Sequence, residues 1–277
     1  MSHKLISAVS LTRFQNVVWE YYTAQRRSMP WRDPRPDGTY DAYRVMVSEI
    51  MLQQTQVSRV LSKYEAFLLH FPNIQTLADA SLADVLKVWS GLGYNRRAKF
   101  LWLAAQEIIH SYDGVIPNSV ERLATLPGIG PNTGAAVIAY TFNQPVIFIE
   151  TNIRTVFIHH FFNDETAVMD KDILALVKES LPAEDFRNWY YALMDYGSFL
   201  KSTAGNKSRQ AKAYARQPTF KGSRRQLRGM VLRTLSVKPQ GITELAMTIM
   251  DDRLKTICDE LQKDGLIHLK AKQYILG

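Results

Sequence analysis

The chain has 277 residues, 46% of them hydrophobic and 22% charged, a composition that supports one large or two modest globular domains with a real core. No run of about eighteen apolar residues occurs, which excludes a helical membrane span, and the N-terminal MSHKLISAVSLTRFQ lacks the apolar stretch and cleavage site of a secretory signal. A single cysteine, Cys258, excludes an internal disulfide framework and a cysteine-ligated metal centre. The expectation is a cytoplasmic protein, and the net charge of +8 favours a polyanionic partner.

From the N-terminus, Leu11 to Arg26 places Phe14, Val17, Val18, Tyr21 and Tyr22 at helical spacing. Pro30 to Tyr40, with three prolines and a glycine, reads as a loop. Asp41 to Phe71 reads as two helices, the first turning Val45, Ile50 and Met51 inward. Glu49 lies among these apolar neighbours, where burial would keep a proton available for general acid work. The alternative is a solvated glutamate on a helix face. Two short helices follow, Ile74 to Ala78 and Leu82 to Trp89. Gly91-Leu92-Gly93-Tyr94 is then a turn opening onto Arg96, Arg97 and Lys99. That cluster suits phosphates, with Tyr94 stacking on bases, or else forms a solvated charged face. Leu101 to Ser111 is a further helix, ended by Asp113-Gly114.

The stretch from Leu126 to Val156 is the most informative. Leu126-Pro127-Gly128-Ile129-Gly130 is a turn whose glycines permit close backbone approach. Pro131-Asn132-Thr133 opens a helix with proline in its first turn. Glu121 to Thr125 closes the preceding helix, which makes a helix-hairpin-helix, and the bare amides of Gly128, Ile129, Gly130 and Thr133 form a ready phosphate site. A tight turn without a ligand is the alternative. The apolar run Val146 to Ile149 then ends in Glu150-Thr151-Asn152 at the start of another helix. Asp170 to Leu181 and Asp185 to Leu200 are helical. Arg224 to Ser236, Ile242 to Ala246 (from a Thr243 cap, with Leu245 and Ala246 inward) and Asp251 to Asp264 give three more helices. Two short strands follow, Ile267 to Leu269 and Gln273 to Leu276, and the whole resembles a winged helix. Cys258 reads as a core residue there. The acidic third helix suits packing or a partner better than the DNA major groove.

Leu126 to Val156 resembles the core of the helix-hairpin-helix base-excision DNA glycosylases, and Ser48-Glu49-Ile50-Met51-Leu52-Gln53-Gln54-Thr55-Gln56-Val57 narrows the likeness to the MutY adenine glycosylases. Pro30-Trp31-Arg32, Gly91 to Tyr94 and Leu193-Met194-Asp195-Tyr196-Gly197 match in the same order. The resemblance implies an all-α, two-lobed core with a groove between its lobes. Residues 36–145 would form the hairpin-bearing lobe, 1–35 with 146–218 the second, and 219–277 a winged-helix-like module. It implies a monomer acting on double-stranded DNA that carries a mismatched or damaged base. Glu49 would protonate the departing adenine, and Trp31, Arg32 and Asp195 would line the base pocket, although Asp195 equally suits a structural hydrogen bond. Gln53, Gln54 and Thr55 would fill the vacated stack. A monovalent cation at the hairpin is also implied. Asn132 stands where bifunctional relatives carry a lysine, so it would hold water or the sugar in a monofunctional enzyme, or only cap its helix.

The chain departs from that family in two places. The family places four cysteines for a [4Fe-4S] cluster after the last core helix; here those positions hold Lys201, Ser208, Ala211 and Gln217, and no cluster is expected. The segment from Lys201 to Arg233 is rich in Lys and Arg without Asp or Glu, so it either contacts phosphates or is a basic linker, with Tyr214 and Phe220 taking over the packing. The family also expects aspartate where Glu150 stands, two residues before Asn152. Glutamate keeps the charge that would stabilise a cationic sugar but is longer by roughly 1.5 Å. It either acts with adjusted geometry, moves the enzyme to another base such as thymine or uracil opposite guanine, or marks a DNA-binding protein with weakened chemistry. Thr151 or Asn152 would then cap the helix.

Overall fold

The computed structural model describes residues 8–162 and 165–277. In chain order the helices are α1 (Ala8–Gln25), α2 (Ala42–Leu52), α3 (Val57–His70), α4 (Ile74–Asp79), α5 (Leu82–Trp89), α6 (Arg96–Tyr112), α7 (Val120–Leu123), α8 (Pro131–Phe142), α9 (Thr151–Phe161), α10 (Asp170–Glu179), α11 (Phe186–Thr203), α12 (Arg224–Leu235), α13 (Ile242–Thr248) and α14 (Leu254–Lys263). The strands β1 (Ile267–Lys270) and β2 (Gln273–Leu276) pair antiparallel, with Ile267 opposite Leu276. No described helix is long and apolar enough to cross a membrane. The chain divides into two compact units. One comprises the described residues up to 45 with 118–121 and 130–216; the other comprises 46–117, 122–129 and 217–277.

In the first unit α1 packs on α11, and aromatic rings supply the contact. Phe14, only 3% exposed, meets Phe157 at 5.2 Å and Trp189 at 6.0 Å. α9 also packs directly on α11. A Cβ placed on Gly197 would fall 2.3 Å from the Asn152 carbonyl oxygen, so only glycine lets these two backbones touch. Below them Tyr190 stacks on Phe148 at 4.2 Å and donates to the Val146 carbonyl at 2.7 Å, which secures the extended run leading into Glu150. After α11 the chain makes a 3-10 turn (Lys207–Gln210), and Val168 and Ala211 form a parallel bridge, the Val168 amide donating to Gln210 and the Lys212 amide to Val168. Ser208 and Ala211 are buried, whereas Tyr214 and Phe220 are exposed. The packing expected of those two aromatics is therefore done by small residues and backbone pairing.

In the second unit α3, α5 and α6 enclose Tyr64, Phe67 and Trp89, all nearly inaccessible to solvent. The Trp89 indole donates to the Gly93 carbonyl at 3.1 Å, and Trp102 donates to Ala80 at 2.9 Å. Residues 217–277 belong to this unit. Leu227, Val231 and Leu235 of α12 and Leu254, Ile257, Cys258 and Leu261 of α14 are buried at the spacing of amphipathic helices. Gln240 makes an isolated antiparallel bridge to Tyr274 beside the β1–β2 hairpin. Of the acidic residues of α14, Glu260 pairs with Arg224 and Arg228 of α12, as does the following Asp264 with Arg228, whereas Asp259 is exposed and pairs with Lys255 of its own helix. Lys99 of α6 donates to the Asp264 carbonyl at 2.8 Å, tying the module to α6. Two expectations are corrected here. The α13 cap is Gly241, whose amide bonds to Glu244 at 2.7 Å, not Thr243, and Ala246 is exposed.

The Gly197 contact yields a direct prediction. Gly197→Ala should destabilise the protein by about 1–3 kcal/mol through overpacking, read as a Tm lowered by several degrees in thermal unfolding. An unchanged Tm would show that α9 and α11 separate without cost.

Candidate active site and nucleic-acid interface

In the second unit Glu49 sits on α2 between Ser48 and Ile50, both buried, and is itself half-buried. The helix ends three residues later, and Gln53, Gln54 and Thr55 form the turn into α3. Gln54 has φ +54°, and Tyr94, in the turn before α6, has φ +47°. Left-handed backbone in residues other than glycine is uncommon and concentrates where function or tight packing demands it. The two are joined through the C-terminal segment. The Gln217 amide donates to Gln54 Oε1 at 3.2 Å and to the Tyr94 hydroxyl, and Arg225 donates to the same hydroxyl and to the Pro218 carbonyl. Tyr94 is thus half-buried and engaged, not a free stacking ring. Beside it a cavity of about 690 Å³ is lined by Tyr94, Arg96, Phe100, Arg225, Arg228 and Asp264.

The basic cluster after that turn does not behave as one group. Arg96 is exposed, 3.8 Å from Asp264. Arg97 is buried and donates to the Ile50 and Met51 carbonyls at 2.7 and 2.8 Å, to Thr55 Oγ1 at 2.9 Å and to the Gly93 carbonyl at 3.2 Å. Burial lowers its pKa to about 10. The expectation that Arg97 reaches phosphate is therefore corrected: it satisfies the orphan carbonyls at the end of α2 and fixes the Thr55 turn. In the hairpin, Gly128 has φ +75°, and a Cβ there would lie 2.5 Å from that of Phe100. Ile129 is buried.

In the first unit Gly130 is the N-cap of α8, with extended backbone and open space around its Cβ position, so packing does not require glycine there. No side chain caps α8, and Gly130 and Asn132 are exposed, with Thr133 partly so. Asn132 donates instead to the Ile149 carbonyl at 3.2 Å, which links the start of α8 to the residue before Glu150. Glu150 is the N-cap of α9 and makes no capping bond, and neither Thr151 nor Asn152 supplies one. Asn152 donates to the Met194 carbonyl at 3.2 Å and accepts from Lys201 Nζ at 2.5 Å. Burial raises the Glu150 carboxyl above the ordinary range, opposed by the positive charge of Lys201. Burial likewise lowers Lys201, opposed by Glu150 and reinforced by Arg154.

Asp195 is 1% exposed and wholly occupied. It accepts from the Arg27 amide (2.9 Å) and Nε (2.7 Å), and from both Arg32 terminal nitrogens (2.9 Å each). Burial works against its charge, but the Arg32 hydrogen bonds and charge, then those of Arg27, hold its pKa below the usual range. Arg32 also lies 4.2 Å over the Tyr191 ring, which stacks on Tyr140 at 4.3 Å. Trp31 is buried beside it in sequence. Asp195 and Arg32 therefore anchor the 27–32 loop to α11, and the expectation that Asp195 faces a base is corrected to the structural alternative. Sequence reasoning missed Arg27, and it treated Lys201 only as a missing cysteine. Among the described residues no cluster of His, Cys, Asp or Glu could hold a metal. Lys201, Ser208, Ala211 and Gln217 offer no cluster ligand, and Cys258 is buried in α14.

Comparison with known proteins agrees with this architecture. Residues 47–182 match the HhH-GPD superfamily base excision DNA repair protein model. The solved structure of a thermostable thymine-DNA glycosylase superposes with a TM-score of 0.62 over 72% of this chain and 91% of that one, at 22% identity. The fold is thus that of the helix-hairpin-helix base-excision class. The adenine DNA glycosylase of Mycolicibacterium smegmatis is 32% identical over 280 aligned positions, spanning 91% of each chain, and that of Buchnera aphidicola (subsp. Baizongia pistaciae) is 32% identical over 192, spanning 69% of this chain but 53% of its own length. The chain belongs to the MutY-like adenine DNA glycosylase family of the HhH-GPD superfamily.

Neutralising the anchor should be costly. Asp195→Asn is expected to destabilise by about 3–5 kcal/mol, since it leaves buried guanidinium uncompensated. The wild-type contribution is complete above the unfolded aspartate pKa and lost as pH falls through the lower folded value. Urea unfolding across that acid range should show the variant losing less stability with acidification. Parallel curves would refute the assignment.

Proposed function

We propose that this protein is a monofunctional DNA glycosylase, a monomer in the cytoplasm that hydrolyses the N-glycosidic bond of an adenine opposite guanine or 8-oxoguanine in duplex DNA. The observation that carries this is Glu150. It is a partly buried carboxylate at the head of α9 that makes no capping hydrogen bond to that helix, so the fold does not spend it as a cap. A carboxylate so placed serves a cationic transition state, which needs a nearby negative charge in a site of low polarity. In this reading Glu49 protonates the departing base and Glu150 stabilises the sugar as it becomes an oxocarbenium ion. Water takes the base's place on the sugar carbon, leaving an abasic site and free adenine. Asn132, exposed and turned toward Ile149, holds that water or the sugar.

The uncapped start of α8 and the open space at Gly130 support a phosphate contact, since free amides at a helix start attract anions. A monovalent cation at the hairpin would supply only charge neutralisation. Gln53, Gln54 and Thr55 are the residues for the disturbed stack, and exposed Arg96 a phosphate contact. The enzyme works without an iron-sulfur cluster, because the residues at the family's cysteine positions do not fit one. Purified protein should carry no stoichiometric iron and no visible cluster absorbance; a brown preparation with bound iron would overturn that.

Single-turnover base release on duplexes carrying A opposite 8-oxoguanine, A:G, T:G and U:G, with abasic sites revealed by alkali, tests the function. Release from the adenine duplexes alone is expected. Glu49→Gln should slow it by at least about 100-fold while duplex binding persists. Release from T:G or U:G would move the substrate, and silence with intact binding would leave a DNA-binding protein.

A further inference from the structure

Lys201 stands in the last turn of α11, where a lysine ordinarily points into solvent beside the helix carbonyls. Here it is only partly exposed, and its ammonium reaches Asn152 Oδ1 at 2.5 Å. The other end of that amide is committed to the Met194 carbonyl, so its oxygen faces the lysine by necessity. Gly197 holds α11 against the Asn152 backbone. Lysine, asparagine and helix form a rigid bracket around the first turn of α9, with Glu150 at its head. The other charges nearby are already matched. Arg154 of α9 makes a two-point pair with Asp170 of α10 at 2.7 and 3.0 Å, and Asp195 of α11 is held by Arg27 and Arg32. Lys207, beyond α11, acts on His159 at the far end of α9.

We propose that Lys201 is a positioning residue for the proposed reaction: bracketed by Asn152, it supplies the positive charge that favours the ionised form of the Glu150 carboxylate at the head of α9. The inference rests on the reading of Glu150 as the sugar-facing carboxylate. Burial alone would favour the neutral acid, which offers no charge to a cationic sugar. A nearby ammonium opposes that preference, yet it also weakens the help the carboxylate gives. The balance therefore depends on pH. At lower pH the gain in ionised Glu150 dominates. At alkaline pH, where Glu150 is ionised unaided, the lysine has no advantage to confer.

Lys201→Met and Lys201→Arg decide the matter with two measurements on the whole protein. In the first, the Glu150 carboxyl is followed by carbon NMR during pH titration of protein labelled at glutamate side chains, its signal assigned with Glu150→Gln. The midpoint should rise by about 1 pH unit or more in Lys201→Met and stay near wild type in Lys201→Arg. In the second, single-turnover base release should show its acid limb displaced upward in Lys201→Met and restored in Lys201→Arg, with the deficit vanishing at high pH. An unmoved midpoint, or a rate loss equal at every pH, would overturn the proposal. So would trapping of Lys201 on abasic DNA by borohydride, which would make it a nucleophile. If wild type releases no base from any duplex, the functional reading fails, while the titration still decides what Lys201 does to Glu150.

Discussion

The approach of α9 to α11 governs the first unit. Two helices normally stand 8–10 Å apart because their side chains interdigitate, but Gly197 has no side chain to insert and lets the Asn152 carbonyl meet backbone. That contact positions the head of α9, and Asn132, Asn152 and Lys201 all work on the same few residues. It also explains why Asn152 faces inward although asparagine at a helix start usually turns to its own backbone. Its amide is spent on Met194 and Lys201. With no side chain capping α9, its first amides are left for Glu150's surroundings or for a ligand.

Glutamate in place of the family's aspartate makes sense in this setting. An aspartate at an N-cap bonds readily to the amides two or three residues on. The longer Glu150 does not, and its charge answers instead to burial and to Lys201. Lys201 opposes the effect of burial on the Glu150 carboxyl, and the loop that follows it is folded by the Val168–Ala211 bridge. Both departures from the family pattern meet at one point in the fold.

The helices were legible because their apolar spacing is local: α4, α5 and α10 to α14 begin or end within a few residues of where periodicity and caps place them. The hairpin was legible for the same reason, though only Gly128 is demanded by packing, against Phe100. What sequence could not show were bonds between distant positions. Arg97 looks like its neighbours Arg96 and Lys99, and nothing local reveals that the carbonyls of Ile50 and Met51 wait for it. Asp195 is separated by more than 160 residues from the arginines that occupy it. Lys201 could have been found, since counting to the absent cysteine lands on it, but its meaning depends on Asn152 lying opposite.

The C-terminal module carries a consequence of its own. Cys258 is fully inaccessible between α12 and α14, and burial pushes its thiol up to about 11. The thiolate is the reactive form, so this sulfur is chemically silent while the module stays closed. The chain has no other cysteine. Its reactivity toward a thiol reagent is thus a clock for the opening of that one core, which would register how firmly the module stays folded without any label being introduced.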